Sequence, residues 1–192
     1  MLDETTRRGF VGGTAAAAIG LALPRHLGAA TASRAPQVSP EARLRELGIE
    51  LPSTPRPVAT YVPAVTVGNV LYVAGHTPRL PDTSPGFQGK VGADFTVDDG
   101  RAAARQVGLN VLATIRGHLG SLDRVSRLIR TFGMVNCAPD FGQQPQVING
   151  FSDFIVEIFG EEAGKGTRAA VGMSSLPSGM AVEIETYWEI RT

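Results

Sequence analysis

From Val182 to Arg191 the chain alternates without a break. Val182, Ile184, Thr186, Trp188 and Ile190 fall on one side, and Glu183, Glu185, Tyr187, Glu189 and Arg191 on the other. A period of two describes a strand with one buried face and one wetted face. Four more runs read as strands. Tyr61–Val67 and Val70–Ala74 are β-rich and separated by Gly68-Asn69, a pair that favours a tight primed turn and so predicts a hairpin. Val125 to Asn136 predicts a strand with Leu128, Phe132 and Met134 on one face and Arg127 and Thr131 on the other; Arg168 to Ser174 is the fourth.

Elsewhere the period changes to 3.6. Ala104, Val107, Val111, Ile115 and Leu119 form an apolar stripe that starts after Thr96 and stops at Gly120; Thr96 with Asp99 is a capping pair, and Asp98 and Asp99 suit the helix dipole. Val147, Phe151, Phe154, Ile155 and Ile158 mark a second amphipathic helix closed by Gly160. A short helix opens at Ser39-Pro40-Glu41 and stops at Gly48, followed by a Pro-rich strap from Leu51 to Pro57. The order ββ-α-β-α-ββ predicts an α+β fold, a mixed sheet with both helices on one side. The charged face of the last strand must then meet water, a partner or a ligand.

The first 32 residues break this pattern. Arg7 and Arg8 precede an apolar stretch from Phe10 to Leu23, and Ala30-Thr31-Ala32 is a small-residue cleavage site. The stretch is shorter than the ~20 residues a membrane-spanning helix needs. Thr6-Arg7-Arg8-Gly9-Phe10-Val11 resembles the twin-arginine export motif, which implies a periplasmic or secreted protein with no membrane attachment after cleavage. The expected organisation is a leader over 1–32, a tether and short helix over 33–56, and one domain over 57–192. The 192 residues have a formal net charge of zero and no long basic run, which argues against nucleic acid as the main partner. One cysteine, Cys137, excludes an intramolecular disulfide, and the three scattered histidines His26, His76 and His118 give no reason to expect a metal or cofactor.

Two separated motifs carry a resemblance. Tyr61-Val62-Pro63-Ala64, Gly68-Asn69 and Val73-Ala74-Gly75-His76-Thr77-Pro78 resemble the opening hairpin of the RidA/YjgF family. Thr167-Arg168-Ala169-Ala170-Val171, then Leu176-Pro177 and Val182-Glu183-Ile184-Glu185, resemble its C-terminal signature at the family spacing. The resemblance implies a chorismate-mutase-like α+β sandwich assembled as a homotrimer with clefts between subunits. It implies a catalytic arginine and glutamate at Arg168 and Glu183, assisted by Tyr61, the Gly75 backbone and Asn149. Two departures stand out. The cysteine often found two residues after the arginine is Ala170, which excludes thiol-dependent reactions, and the glutamine after the glycine is His76.

Deaminase-type members hydrolyse enamine and imine acids of the 2-aminoacrylate kind to 2-keto acids. That chemistry asks for a guanidinium to grip the substrate carboxylate and an acid to move protons between water and the departing nitrogen. Arg168 fits the first role and Glu183 the second if both line one crevice between subunits. Each residue also has a plainer reading. Arg168 could be an interface ion-pair partner, Glu183 a solvated strand residue, Tyr61 packing and Asn149 a structural hydrogen bond. His76 is open between a cleft residue and an exposed loop histidine. Two other functions are kept beside the deaminase: a non-catalytic trimer that binds small carboxylates, and, more weakly, an endoribonuclease.

Overall fold

The structure is a computed structural model that describes residues 39–54, 59–80 and 86–191. The chain divides into the units Met1–Ala35 and Pro36–Thr192, and the expected leader lies outside the described residues.

The second unit is built from α1 (Pro40–Glu46), β1 (Ala64–Val67), β2 (Val70–His76), α2 (Val97–Leu119), β3 (Val125–Asn136), α3 (Gln144–Gly164), β4 (Thr167–Met173) and β5 (Val182–Ile190). One five-stranded sheet has the order β1-β2-β5-β3-β4. Only the β3–β4 pair is parallel, as its α3 crossover requires; the other pairs are antiparallel. The expected α+β architecture is the one observed.

Local signals explain the elements. The β1–β2 turn has positive φ at Gly68 and not at Asn69, the pattern of a II′ turn whose twist suits the strands. The α2 capping box is complete: the Thr96 amide donates to Asp99 Oδ2 at 3.0 Å and the Asp99 amide to Thr96 Oγ1 at 3.2 Å. The Thr96 hydroxyl, which donates to Asp99 Oδ2 at 2.6 Å, and then the Thr96 amide hold the Asp99 carboxyl below its usual range. Gly160, at φ 77°, interrupts α3 where the sequence predicted its end.

Helices α2 and α3 cover one face of the sheet. Every residue of both predicted apolar stripes is buried there, with Leu71, Val73, Ile184 and Trp188 beneath them. Trp188 is fully buried, and its indole N–H donates to Thr186 Oγ1 at 2.8 Å, so its polar atom costs nothing. The helices approach so closely at Gly150 that a Cβ there would lie 2.0 Å from the Arg101 carbonyl oxygen. No helix among the described residues covers the other sheet face, and it carries Glu183, Glu185, Tyr187 and Glu189 as expected.

One expectation needs correction. Leu128 does not share a face with Phe132 and Met134. The β3–β5 register shifts between Leu128 and Arg130, and again between Val125 and Arg127, so Ile129 and Ser126 are extra residues in bulges. Leu128 and Thr131 consequently face the helices, 3% and 1% exposed, while Arg127, Arg130, Phe132 and Met134 lie on the open face. The second unit contains α1 as well as the sheet and the two long helices. Helix α1 is part of the domain: Glu41 takes a bidentate grip from Arg116 at 3.1 and 2.7 Å and accepts from the Leu122 amide at 2.9 Å, while Leu44 is buried.

Candidate functional site

The sheet register decides where the predicted residues stand. Arg168 pairs with Thr131, which lies opposite Thr186, and both threonines face the helices. The Arg168 side chain follows that face and reaches α3. Its Nη1 donates to Asn149 Oδ1 at 2.8 Å and to Ser152 Oγ at 3.1 Å. Asn149 and Ser152 are three residues apart on one helix face, so both point at the sheet's edge strand. Arg168 is exposed and has no carboxylate partner among the described residues. A guanidinium fixed by neutral acceptors through one nitrogen keeps Nε and Nη2 for a bidentate anion.

Glu183 pairs with Met134, opposite Val171, and stands on the open face. It leans across β2 at Gly75, where an added Cβ would sit 2.1 Å from Glu183 Oε1. The opening for it is a bulge: Val73 pairs with Thr186 and His76 with Ile184, so two residues of β2 oppose one of β5. Burial pushes the Glu183 carboxyl above the usual range, and the neighbouring Glu185 charge adds to the rise. A half-buried acid with a raised pKa is suited to carrying protons. Further along the same strand the Tyr187 hydroxyl is raised chiefly by its hydrogen bond to Glu185.

Within one chain these are two separate groups. Arg168 and Glu183 lie on opposite faces, two strands and three residues apart, or about 14 Å between Cα atoms by strand geometry. The structure brings Asn149 to Arg168 and Gly75 to Glu183. It does not bring the two pairs together. Tyr61 precedes Pro63, whose carbonyl accepts from the Ala74 amide, so it stands at the bulged end of the hairpin with its residue 47% exposed. His76 is neither a loop residue nor on the open face. It ends β2 and is 7% exposed on the helix side, with both ring nitrogens bonded and burial holding its pKa below the usual value.

Sequence reasoning missed Ser152, together with Asn110 and Thr114 on α2, which bond to the end of β2 and the segment after it. A signal existed for the last two: polar residues four apart beside an apolar helix stripe. No group of His, Cys, Asp and Glu among the described residues could hold a metal ion, and no helix among them is long and apolar enough to cross a membrane.

Comparison with known proteins bears on the family and the fold. Residues 41–183 match the family model described as "YjgF/chorismate_mutase-like, putative endoribonuclease". Protein TCP17 of Trypanosoma cruzi is 42% identical over 149 residues, covering 78% of this chain and 92% of its own. The crystal structure of Atu1372 from Agrobacterium tumefaciens, a protein of unknown function, is 40% identical with a TM-score of 0.72, covering 80% of this chain and 93% of that one. RidA from the Antarctic bacterium Psychrobacter is 29% identical with a TM-score of 0.50, covering 72% and 94%. With the matched region running from α1 through the hairpin, both long helices, β3 and β4 to the start of β5 at Glu183, the chain belongs to the YjgF/chorismate mutase-like family.

Proposed function

We propose that the protein is a homotrimeric hydrolase that converts 2-imino and enamine acids to 2-keto acids and ammonia. Each site is completed by two copies, one bringing Arg168 with Asn149 and Ser152, the other Glu183 with Gly75. The observation that carries the reading is a guanidinium without a carboxylate partner among the described residues: there Arg168 bonds only the neutral acceptors Asn149 and Ser152, with Nε and Nη2 left for a carboxylate. Association is supported by the open face and the hairpin, where Tyr61, Val62, Val65, Val67 and Tyr72 are 39–63% exposed.

In the reaction, Arg168 grips the substrate carboxylate and so fixes the neighbouring imine carbon. Ionised Glu183 of the second copy takes a proton from water as the oxygen attacks that carbon. It returns the proton to nitrogen, giving a carbinolamine; the carboxylate then takes the hydroxyl proton and delivers it to nitrogen as the C–N bond breaks, so the carbonyl forms and ammonia leaves. An enamine first gains a proton on carbon and loses one from nitrogen to become the imine. The twin-arginine leader places this activity outside the cytoplasm in the same reading. A ribonuclease would need phosphate contacts, and the open face interleaves Arg127 and Arg130 with Glu185 and Glu189, which leaves no basic field.

The test generates an imino acid with an amino-acid oxidase and follows its decay. The purified protein should accelerate it, and Arg168→Ala should abolish the acceleration. Co-refolding inactive Arg168→Ala with inactive Glu183→Gln should restore roughly one site in four, because mixed neighbours rebuild an intact pair. Unchanged decay with the wild type defeats the reading; thermal stabilisation by 2-keto acids without turnover would replace it with carboxylate binding.

A further inference from the structure

Down one flank of α2 run Gln106, Asn110 and Thr114, each a turn beyond the last. Gln106 Nε2 donates to Asn110 Oδ1 at 3.2 Å. Asn110 Nδ2 donates to the carbonyls of Thr77 and Arg79 at 2.9 and 3.0 Å. Thr114 Oγ1 stands 2.8 Å from His76 Nε2, and His76 Nδ1 stands 2.7 Å from the Ala74 carbonyl. A carbonyl can only accept, so Nδ1 carries the ring hydrogen and Nε2 accepts from the Thr114 hydroxyl. Asn110, Thr114 and His76 are 4%, 1% and 7% exposed.

Polar groups at that depth lower stability unless every one is bonded, and apolar side chains would pack α2 on the sheet without that demand. All the partners on the sheet side fall within residues 74–79, the stretch that holds Gly75 and leads out of its bulge. Bulges are not self-supporting, since their extra residue takes no part in the ladder. Here His76 bonds the Ala74 carbonyl of the bulge, and α2 in turn holds the His76 ring and the segment that follows it.

We propose that His76, Thr114 and Asn110 are positioning residues that fix the β2 bulge, so that the backbone at Gly75 stays where the Glu183 carboxylate lies across it. The catalytic consequence rests on the deaminase reading, while the structural part stands without it. His76 then takes the place of the family's glutamine as a two-ended strut, joining the bulge carbonyl to α2 through one rigid ring.

The experiment has arms that fail separately. In the wild type, ¹⁵N spectra of the imidazole should show the hydrogen of His76 on Nδ1; finding it on Nε2 overturns the proposal, and this arm needs no variant. In Thr114→Val, ¹³C titration of the Glu183 carboxyl should show its raised pKa relaxing toward the ordinary value, because a loosened bulge admits water. In turnover, the same variant should lose about 10- to 100-fold in kcat with KM within about twofold, since the Arg168 grip is elsewhere. Thr114→Ser keeps the hydroxyl and should rescue both quantities. A loss of melting temperature with an unchanged Glu183 titration and kcat makes the ladder structural only and sinks the idea. If Thr114→Val does not fold, Thr114→Ala takes its place. A wild type without imine turnover defeats the deaminase reading and leaves the two spectroscopic arms to decide this one.

Discussion

The two half-sites of this chain are built by opposite means. The Arg168 half is an exposed charge at a sheet edge, with a helix lending it two neutral acceptors. The Glu183 half is a carboxyl laid over a glycine, half-buried beside a second acid, with a buried polar ladder behind it. The first half spends little on position and offers a strong, always-charged grip. The second accepts burial and like-charge repulsion, which costs stability and gains a tunable proton. In the proposed reaction, binding and proton transfer thus fall to opposite faces of the sheet, and each face lacks what the other supplies.

The sharpest way to break that contrast is to neutralise each half in turn. Glu183→Gln keeps shape and hydrogen bonding but cannot take a proton, so kcat should fall by about 10²–10⁴ with KM nearly unchanged. Arg168→Ala should act mainly through KM, lowering kcat/KM by about 10²–10³. Steady-state kinetics on a generated imino acid separates the two, and equal effects on kcat and KM from both variants would erase the division of labour.

A subtler perturbation is Gly75→Ala. Its methyl would overlap Glu183 Oε1 but only approach the Glu183 carboxyl carbon, at 3.0 Å. The far end of a long side chain can swing aside, so the melting temperature should hardly move. Turnover should still drop about 10-fold or more, since the acid has left its place. A variant with normal turnover would show that the contact with Gly75 is incidental.

How much of this was legible in the chain depends on how local the cause is. The alternation of β5, the Thr96–Asp99 box and the Gly68-Asn69 turn are each settled within a few residues, and each is found where it was read. The bulge at Ile129 is not local. It is a property of two strands in register, with no marker in β3 alone, and it moved Leu128 to the helix side. The same holds for His76, which looked like a loop residue until the β2 bulge turned its ring toward Thr114. Arg168 and Glu183 were correctly placed on strands; that they leave the sheet by opposite faces follows only from the partners across β3. Ser152 went unread because its role exists only once α3 lies along β4.

The smallest expected effect concerns stability rather than turnover, and it tests whether the Glu183 half is a strained site. Burial and Glu185 raise the folded-state pKa of Glu183 above its unfolded value of 4.5. The folded protein therefore binds its proton more readily than the unfolded chain does. Stability from this group is fully present below pH 4.5 and is lost as pH rises through the folded pKa, where the carboxylate must ionise beside Glu185. Glu183→Gln mimics the protonated acid at every pH, so the variant should melt slightly higher than the wild type at pH 7 and alike below pH 4.5. His76 runs the other way: its pKa is lowered by burial from 6.5, so its contribution is present above that value and lost as pH falls. Since His76 is common to both proteins, that loss cancels in the difference between their melting curves. A gap that stays constant from pH 4 to 8 would mean the carboxyl is not strained in the fold, and the contrast between the two halves would lose its energetic basis.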